Sequence, residues 1–397
     1  MAPTFTRVGV IGAGIAGPVM AMFLKQKGYD PIVYERLDVP SEAGLGIALQ
    51  QNGTAVLARI PGLLEHISGF PIEAFYFCSV LPTDTGVLGV SEHPRLLRER
   101  GQLVMTARRP ALHQRVIAFA QQRGVRIEFG HKLEALEQND DSVTAMFANG
   151  VRETFSFVVG CDGLHSATRS SLFGDLPADY TGLTHCGGLS PVPEFWKGKR
   201  AGADIYGDGA YMLIVPMDDS LVAWAISQRE PEAKEEWRSI DAAAAEDFKG
   251  NSPFSEWPFG AGEVLRNSFK IVKYGIYDRP ELGTWHKGRV ILIGDAAHPT
   301  SPHLGQGANQ AYEDVGLLID LLERINPSAE PPSTAVLTNV FGELERERLP
   351  RTAEMAKNAR AQGDMRVVSG VEACIKRNNL IRDMCADPAK MKARFGV

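Results

Sequence analysis

The sequence predicts an α/β fold. A Rossmann-like dinucleotide-binding domain is interrupted by a mostly β insertion and followed by a C-terminal helical segment. Three observations predict it. A glycine-rich turn, Gly12-Ala13-Gly14-Ile15-Ala16-Gly17, follows an apolar strand and opens a helix. Between about 180 and 280 the texture changes to paired β-branched and aromatic runs. Buried-strand character then returns at Arg289-Val290-Ile291-Leu292-Ile293, ahead of another helix.

At 397 residues the chain suits about two or three packed units. Its 44% hydrophobic and 23% charged residues are those of a globular protein and not of a disordered one. The net charge is −6 and the pI is near 5.9, with no basic tract, so nucleic acid is not expected as a partner. The apolar stretch Val8 to Leu24 is broken by Gly12, Gly14, Gly17 and Pro18. It reads as a buried strand, turn and helix, not as a signal peptide or membrane span. No other run is long enough to cross a bilayer. Cys78, Cys161, Cys186, Cys374 and Cys385 form no C-x-x-C pair and are odd in number. That favours a reducing cytoplasm over a disulfide framework, and no metal site is expected.

In chain order, Arg7-Val8-Gly9-Val10-Ile11 reads as a strand, Gly17 to Lys27 as a helix stopped by Gly28, and Pro31 to Glu35 as a second strand. This β-α-β unit needs a right-handed crossover. Pro110 to Arg123 reads as a helix, with Leu112, Val116, Ile117 and Phe119 on one face. Val125 to Phe129 and Ser142 to Phe147 read as strands. Tyr211 to Val215 and Leu221 to Ile226 flank a short polar loop and predict a hairpin. Phe269 to Tyr277 is a further strand, and a helix is expected from about Gln306 to Leu322. The charged run Glu343 to Arg351, with Pro350, reads as a solvated helix face with a kink. The expected division is residues 1–74, 103–178 and 280–340 for the dinucleotide domain, 75–102 and 179–279 for the substrate domain, and 341–397 for the helical segment.

The glycine turn permits close approach of a pyrophosphate, and the helix behind it offers unpaired N–H groups and positive partial charge. Glu35, at the end of the second strand, is placed to accept hydrogen bonds from a ribose diol. This motif alone does not separate NAD from FAD. Two further motifs carry a resemblance that does. One is Gly160-Cys161-Asp162-Gly163-Leu164-His165-Ser166-Ala167-Thr168-Arg169, after Phe157-Val158-Val159. The other is Gly294-Asp295-Ala296-Ala297-His298-Pro299, continuing through Pro302-His303-Leu304-Gly305-Gln306-Gly307-Ala308-Asn309. With these the sequence resembles the class A flavoprotein monooxygenases, the family of para-hydroxybenzoate and salicylate hydroxylases. The resemblance extends to Gly44 and Gly46 before Asn52, Arg109 with Leu112, and Tyr277-Asp278-Arg279 through Trp285 to Gly288-Arg289.

The resemblance implies non-covalent FAD, with NADH or NADPH as a transient co-substrate. Gly12, Gly14, Ile15, Ala16 and Gly17 would hold the pyrophosphate, Glu35 the ribose, Arg36 the adenine and Arg109 the phosphates. Gly46 belongs to the same set. Asp162 would order backbone amides or Arg109, and Asp295 would bind the ribityl hydroxyls. Pro302, Gly305, Gly307, Ala308 and Asn309 would border the isoalloxazine ring, where a helix N-terminus stabilises the reduced anion. His298 is expected to make a structural hydrogen bond. The implied chemistry is reduction of FAD by NAD(P)H, addition of O2 at flavin C4a, and transfer of the distal hydroperoxide oxygen to a small aromatic, phenolic substrate. A hydroxybenzoate-like compound, with or without decarboxylation, fits it. His303, Pro302 and Tyr211 are the candidates at the catalytic centre, with His185 and Tyr206 as weaker ones. Oxygenation of a non-aromatic metabolite, and a reductase that transfers no oxygen, remain open, as do the base and the oligomeric state.

Overall fold

The computed structural model describes residues 6–232, 238–239 and 242–387. The outermost parts of the expected terminal segments, residues 1–5 and 388–397, lie outside the described residues. Among the described residues, Arg7–Ile11, Asp30–Tyr34, Arg126–Glu128, Phe157–Gly160 and Val290–Leu292 pair in parallel, with His286–Lys287 antiparallel at one edge. The first of these strands is central. It is buried on both faces, as the unbroken run Val8 to Ile11 requires. The helix Gly17–Gln26 crosses between the first two strands. Its first eight residues are all buried.

The insertion is an eight-stranded sheet. The expected hairpin is there, as Ala210–Pro216 against Leu221–Arg229, antiparallel throughout. The strands Ala74–Ser79 and Gly86–Ser91 join this sheet from an earlier part of the chain, through a parallel pairing with Ala201–Tyr206. A small sheet of Gly46–Leu49, Met105–Arg108 and Phe70–Pro71 lies where the chain passes between the two large sheets.

The helical segment differs from expectation. It begins at Thr334, not near 341, and runs unbroken to Arg366, so Pro350 does not end it. Its charged run is only in part a solvated face, with Arg346, Glu347 and Arg351 exposed. Glu345 is buried and accepts from the backbone N–H groups of Trp285 and His286, and Arg348 is buried among carboxylates. This helix packs on the helix Gly307–Ile325 and on the turn Pro302–Leu304, and a last helix, Val371–Ala386, covers the strand Gly86–Ser91.

Candidate active site

The glycine turn is built for close packing on one side and open space on the other. Gly12 has φ +101°, and a Cβ there would stand 2.6 Å from the Cys161 carbonyl oxygen. At Gly17 a Cβ would stand 1.9 Å from the carbonyl oxygen of Gly12. At Gly14 it would meet nothing within 4 Å. Ile15 is half-buried and Ala16 buried as the helix begins. Glu35 reaches across with Oε2 accepting from the Ala13 N–H at 2.9 Å, while Oε1 accepts from Leu37 N–H at 3.0 Å. Its carboxylate therefore fixes the turn as well as facing the cleft. The buried His113 donates from Nε2 to the Ala13 carbonyl. No sequence signal marked His113, because its role is a tertiary contact from a helix that reads as ordinary core. Arg36 is exposed beside Glu35.

The other motifs converge on the same cleft. Asp162 accepts from Ser166 Oγ at 2.6 Å and from the Thr168 N–H and hydroxyl at 2.9 and 3.0 Å. It orders the start of the helix Ala167–Phe173, not Arg109. Burial pushes its carboxyl pKa up against those hydrogen bonds. Arg109 instead donates to the Ala43 carbonyl at 2.8 Å, and Gly44, at φ +96°, leaves it room. Gly46 does not face open space, since a Cβ there would meet Met217 Sδ at 2.7 Å.

Asp295 is the clearest mark of a ligand. It follows a buried strand and lies between buried Gly294 and Ala296, yet its surface is exposed. Its carboxylate accepts no hydrogen bond from the described side chains. Protein crowds it from every other side and raises its pKa, opposed by His298, Arg109 and Arg169. Nearby, the buried Tyr312 hydroxyl and Thr300 Oγ1 have no partner. A Cβ on Gly307 would lie 3.7 Å from Asp295 Oδ1 and 4.0 Å from Thr300. Unpaired buried polar atoms beside an open carboxylate fit a polyhydroxylated ligand.

The turn that borders this space is held by a polar lattice. Gln50 Nε2 donates to the Leu304 carbonyl at 2.9 Å, and Asn309 Nδ2 to the Gly305 and Ala48 carbonyls. Gln306 links Gln50 to Asn52, and Asn52 links to Glu313. Arg348 closes the lattice on Glu313, Asp314 and Gln310. Asp314 accepts from the Gly294 N–H at 2.9 Å and from His298 at 2.6 Å, which is the structural hydrogen bond expected of His298. Burial alone would raise the Asp314 pKa, but His298 and Arg348 bring it below the usual carboxylate range. Gly305 takes φ +62° at the end of the turn, and the helix Gly307–Ile325 points its N-terminus at the cleft, with Ala308 in its first turn.

On the far side of that turn lies a cavity of about 990 Å³ including its mouth. Pro302, His303 and Gly305 line it below, and Phe75, Leu213 and Val215 line it above. His303 is buried, with Nδ1 3.1 Å from Ser301 Oγ. Burial first, then Arg366 and His185, hold its pKa well below the usual imidazole value, so it is neutral. His185, 6.1 Å away ring to ring, is lowered to about 4 by burial and Arg366. Tyr211 does not line the cavity, which departs from expectation. Its hydroxyl donates to Asp204, and burial raises its own pKa well above the usual phenol value. Tyr206 and Tyr211 sit behind Asp204, in a cluster with Phe77 and Leu88. Asp204 and Arg366 do line the cavity. Neither stood out in the sequence, because nothing local distinguishes an aspartate inside a strand or an arginine at a helix end.

A family described as FAD binding domain matches residues 5–331. The 3-amino-4-hydroxybenzoate 2-monooxygenase of Streptomyces cremeus is 30% identical over 399 residues, covering 98% of this chain and 95% of its own. The 6-hydroxynicotinate 3-monooxygenase of Bordetella bronchiseptica is 25% identical, covering 80% of this chain and 83% of its own. The fold is that of Klebsiella pneumoniae HpxO, solved with FAD and uric acid, at a TM-score of 0.82 and 21% identity, over 98% of this chain and 96% of that one. An open glycine turn, an unpaired Asp295 and a glycine-bordered cavity, arranged in that fold, place the chain in the FAD binding domain family, among the class A FAD-dependent monooxygenases.

Proposed function

We propose that this protein hydroxylates a small hydroxylated aromatic compound, using NAD(P)H and O2, in the cytoplasm. The observation that carries this reading is the cavity of about 990 Å³ whose floor is the Pro302–Gly305 turn and whose roof is apolar sheet. The relatives named for 3-amino-4-hydroxybenzoate and 6-hydroxynicotinate support an aromatic substrate carrying an oxygen substituent. The free cysteines support a reducing compartment.

FAD supplies the redox and oxygen-activating chemistry; the chain's residues supply position and environment. The Gly14 side of the turn and the N-terminus of Gly17–Gln26 receive the pyrophosphate, and Glu35 uses its remaining acceptor capacity for ribose. Arg109 answers the phosphate charge, and Asp295 receives the ribityl hydroxyls. Gly305, Gly307 and Ala308 allow close approach to the ring, Asn309 fixes the turn from beneath through the Gly305 carbonyl, and the helix behind them favours negative charge there. Pro302 and Leu304 close the cavity floor, and Phe75, Leu213 and Val215 keep bulk water from the reacting carbon. His303 is a neutral hydrogen-bonding wall. Tyr211 acts at one remove, by orienting Asp204.

The test is turnover of phenols, hydroxypyridines and isolated alkenes with NADH and NADPH under labelled O2. One labelled oxygen atom in an aromatic product is the expected result. Labelled product from alkenes alone rejects the aromatic substrate, and peroxide without oxygenated product rejects the hydroxylase.

A further inference from the structure

Arg366 and Asp204 meet at the cavity from two separate elements, the last turn of the long helix and the strand Ala201–Tyr206. They are 8% and 4% exposed. Arg366 Nη2 stands 3.7 Å from Asp204 Oδ1, an ion pair beyond hydrogen-bond reach. Arg366 Nη1 donates to the His303 carbonyl at 2.6 Å, but its Nε is buried with no acceptor. The guanidinium lies 4.1 Å over the Tyr211 ring, which fixes its plane. Asp204 accepts from Tyr211 on Oδ1 and from Tyr206 on Oδ2 at 3.4 Å. A carboxylate has about four acceptor positions and can hold several donors at once.

The cavity wall therefore presents a planar guanidinium, whose Nη2 has no hydrogen-bond acceptor among the described residues, with a carboxylate beside it. Their charges offset each other. A ligand carboxylate on Arg366 would lie against Asp204, and like charges at that range repel. An uncharged edge with an acceptor next to a donor suits both partners. We infer that Arg366 and Asp204 form a specificity site that reads such an edge on the aromatic ring. Arg366 takes the oxygen of an ortho-aminophenol or of a cyclic lactam, and Asp204 takes the neighbouring N–H. The inference rests on the aromatic hydroxylase reading and names the substrate class within it.

The test is titration of the FAD-loaded protein with phenol, benzoate, 2-aminophenol and 2-hydroxypyridine, followed by flavin absorbance. The expected order has the last two at least ~10-fold tighter than the first two, since each gains a charge-assisted hydrogen bond. The isosteric Asp204→Asn should cut that preference by about 10-fold. Arg366→Gln should weaken both favoured ligands, and the wild-type order stands as evidence even where a variant folds poorly. Tightest binding by benzoate overturns the inference in favour of an anion anchor. Equal binding of phenol and 2-aminophenol, or binding of none of the four, also overturns it. These readouts need no turnover, so they fail separately from the hydroxylase reading, which fails if no aromatic product forms.

Discussion

Below the Pro302–Leu304 turn, amides and carboxylates from Gln50, Asn52, Asn309, Glu313 and Asp314 bind one another and the turn, with Arg348 at their centre. Above it, the cavity wall is mostly apolar and carries a loose ion pair, Arg366 Nη2 with Asp204 at 3.7 Å. A closed lattice fixes geometry and tolerates no loss. An incomplete pair leaves capacity for a ligand. The support beneath the turn is thus largely finished by the protein, while Tyr312 and Thr300 on the cofactor side and Arg366 on the substrate side leave capacity for what binds.

Four experiments would break or sharpen that contrast. The largest effect is expected at Gly14. A Cβ there meets no protein atom within 4 Å, so Gly14→Val should fold normally by circular dichroism yet be purified without FAD. A yellow variant would move the pyrophosphate elsewhere. Next is Arg348→Met, which strips the buried Asp314 of its guanidinium and leaves it only the ion pair with His298, while Glu313 keeps Arg351. It should lose about 3–5 kcal/mol in denaturant unfolding, and a loss below ~1 kcal/mol, the scale of exposed pairs, would mean the lattice is not rigidly closed. Glu35→Ala frees two backbone N–H groups and one ribose contact, and should weaken FAD binding by about 1–3 kcal/mol in apoprotein titration; unchanged affinity removes Glu35 from the ribose. The smallest effect concerns pH. His303 and His185 have lowered folded pKa values, so the unfolded chain binds protons that the folded one refuses. Stability should therefore fall as pH drops from about 6.5 toward 4. His185→Gln should flatten that fall in melting curves at pH 7 and pH 5, and an unaltered slope would show that His185 is not the group responsible.

Much of the cofactor side was legible because its residues follow local rules. The turn at Gly12, the helix start at Gly17 and the carboxylate of Asp295 each sit at a strand end, where sequence neighbours are also neighbours in space. The hairpin around 216–220 was legible for the same reason. Arg348, His113, Asp204 and Arg366 were not. Each acts on a partner far away in sequence, and the alternation in Tyr211 to Val215 does not say which alternate residues reach the cavity. Leu213 and Val215 do, whereas Tyr211 turns its hydroxyl to Asp204. Within the charged run at 343–351, Glu345 and Arg348 were misread because charge predicts solvent only where no buried opposite charge awaits it.

The long helix Thr334–Arg366 touches both sides of the cleft, with Arg348 on the cofactor lattice and Gln362 and Arg366 at the cavity. Between them lie about five helical turns, roughly 27 Å. Gly363 admits the His303 ring against this helix, where a Cβ would stand 2.7 Å from it. Inserting or deleting one residue in the span would rotate the far end by about 100° and swing Arg366 away from Asp204. The interval should therefore resist changes of length over evolutionary time. Single substitutions at Gln362 and Arg366, one turn apart on the same face, do not disturb Arg348. Length along this span is thus held from both ends, because the helix that carries Arg348 into the lattice also bonds the His303 carbonyl through Arg366.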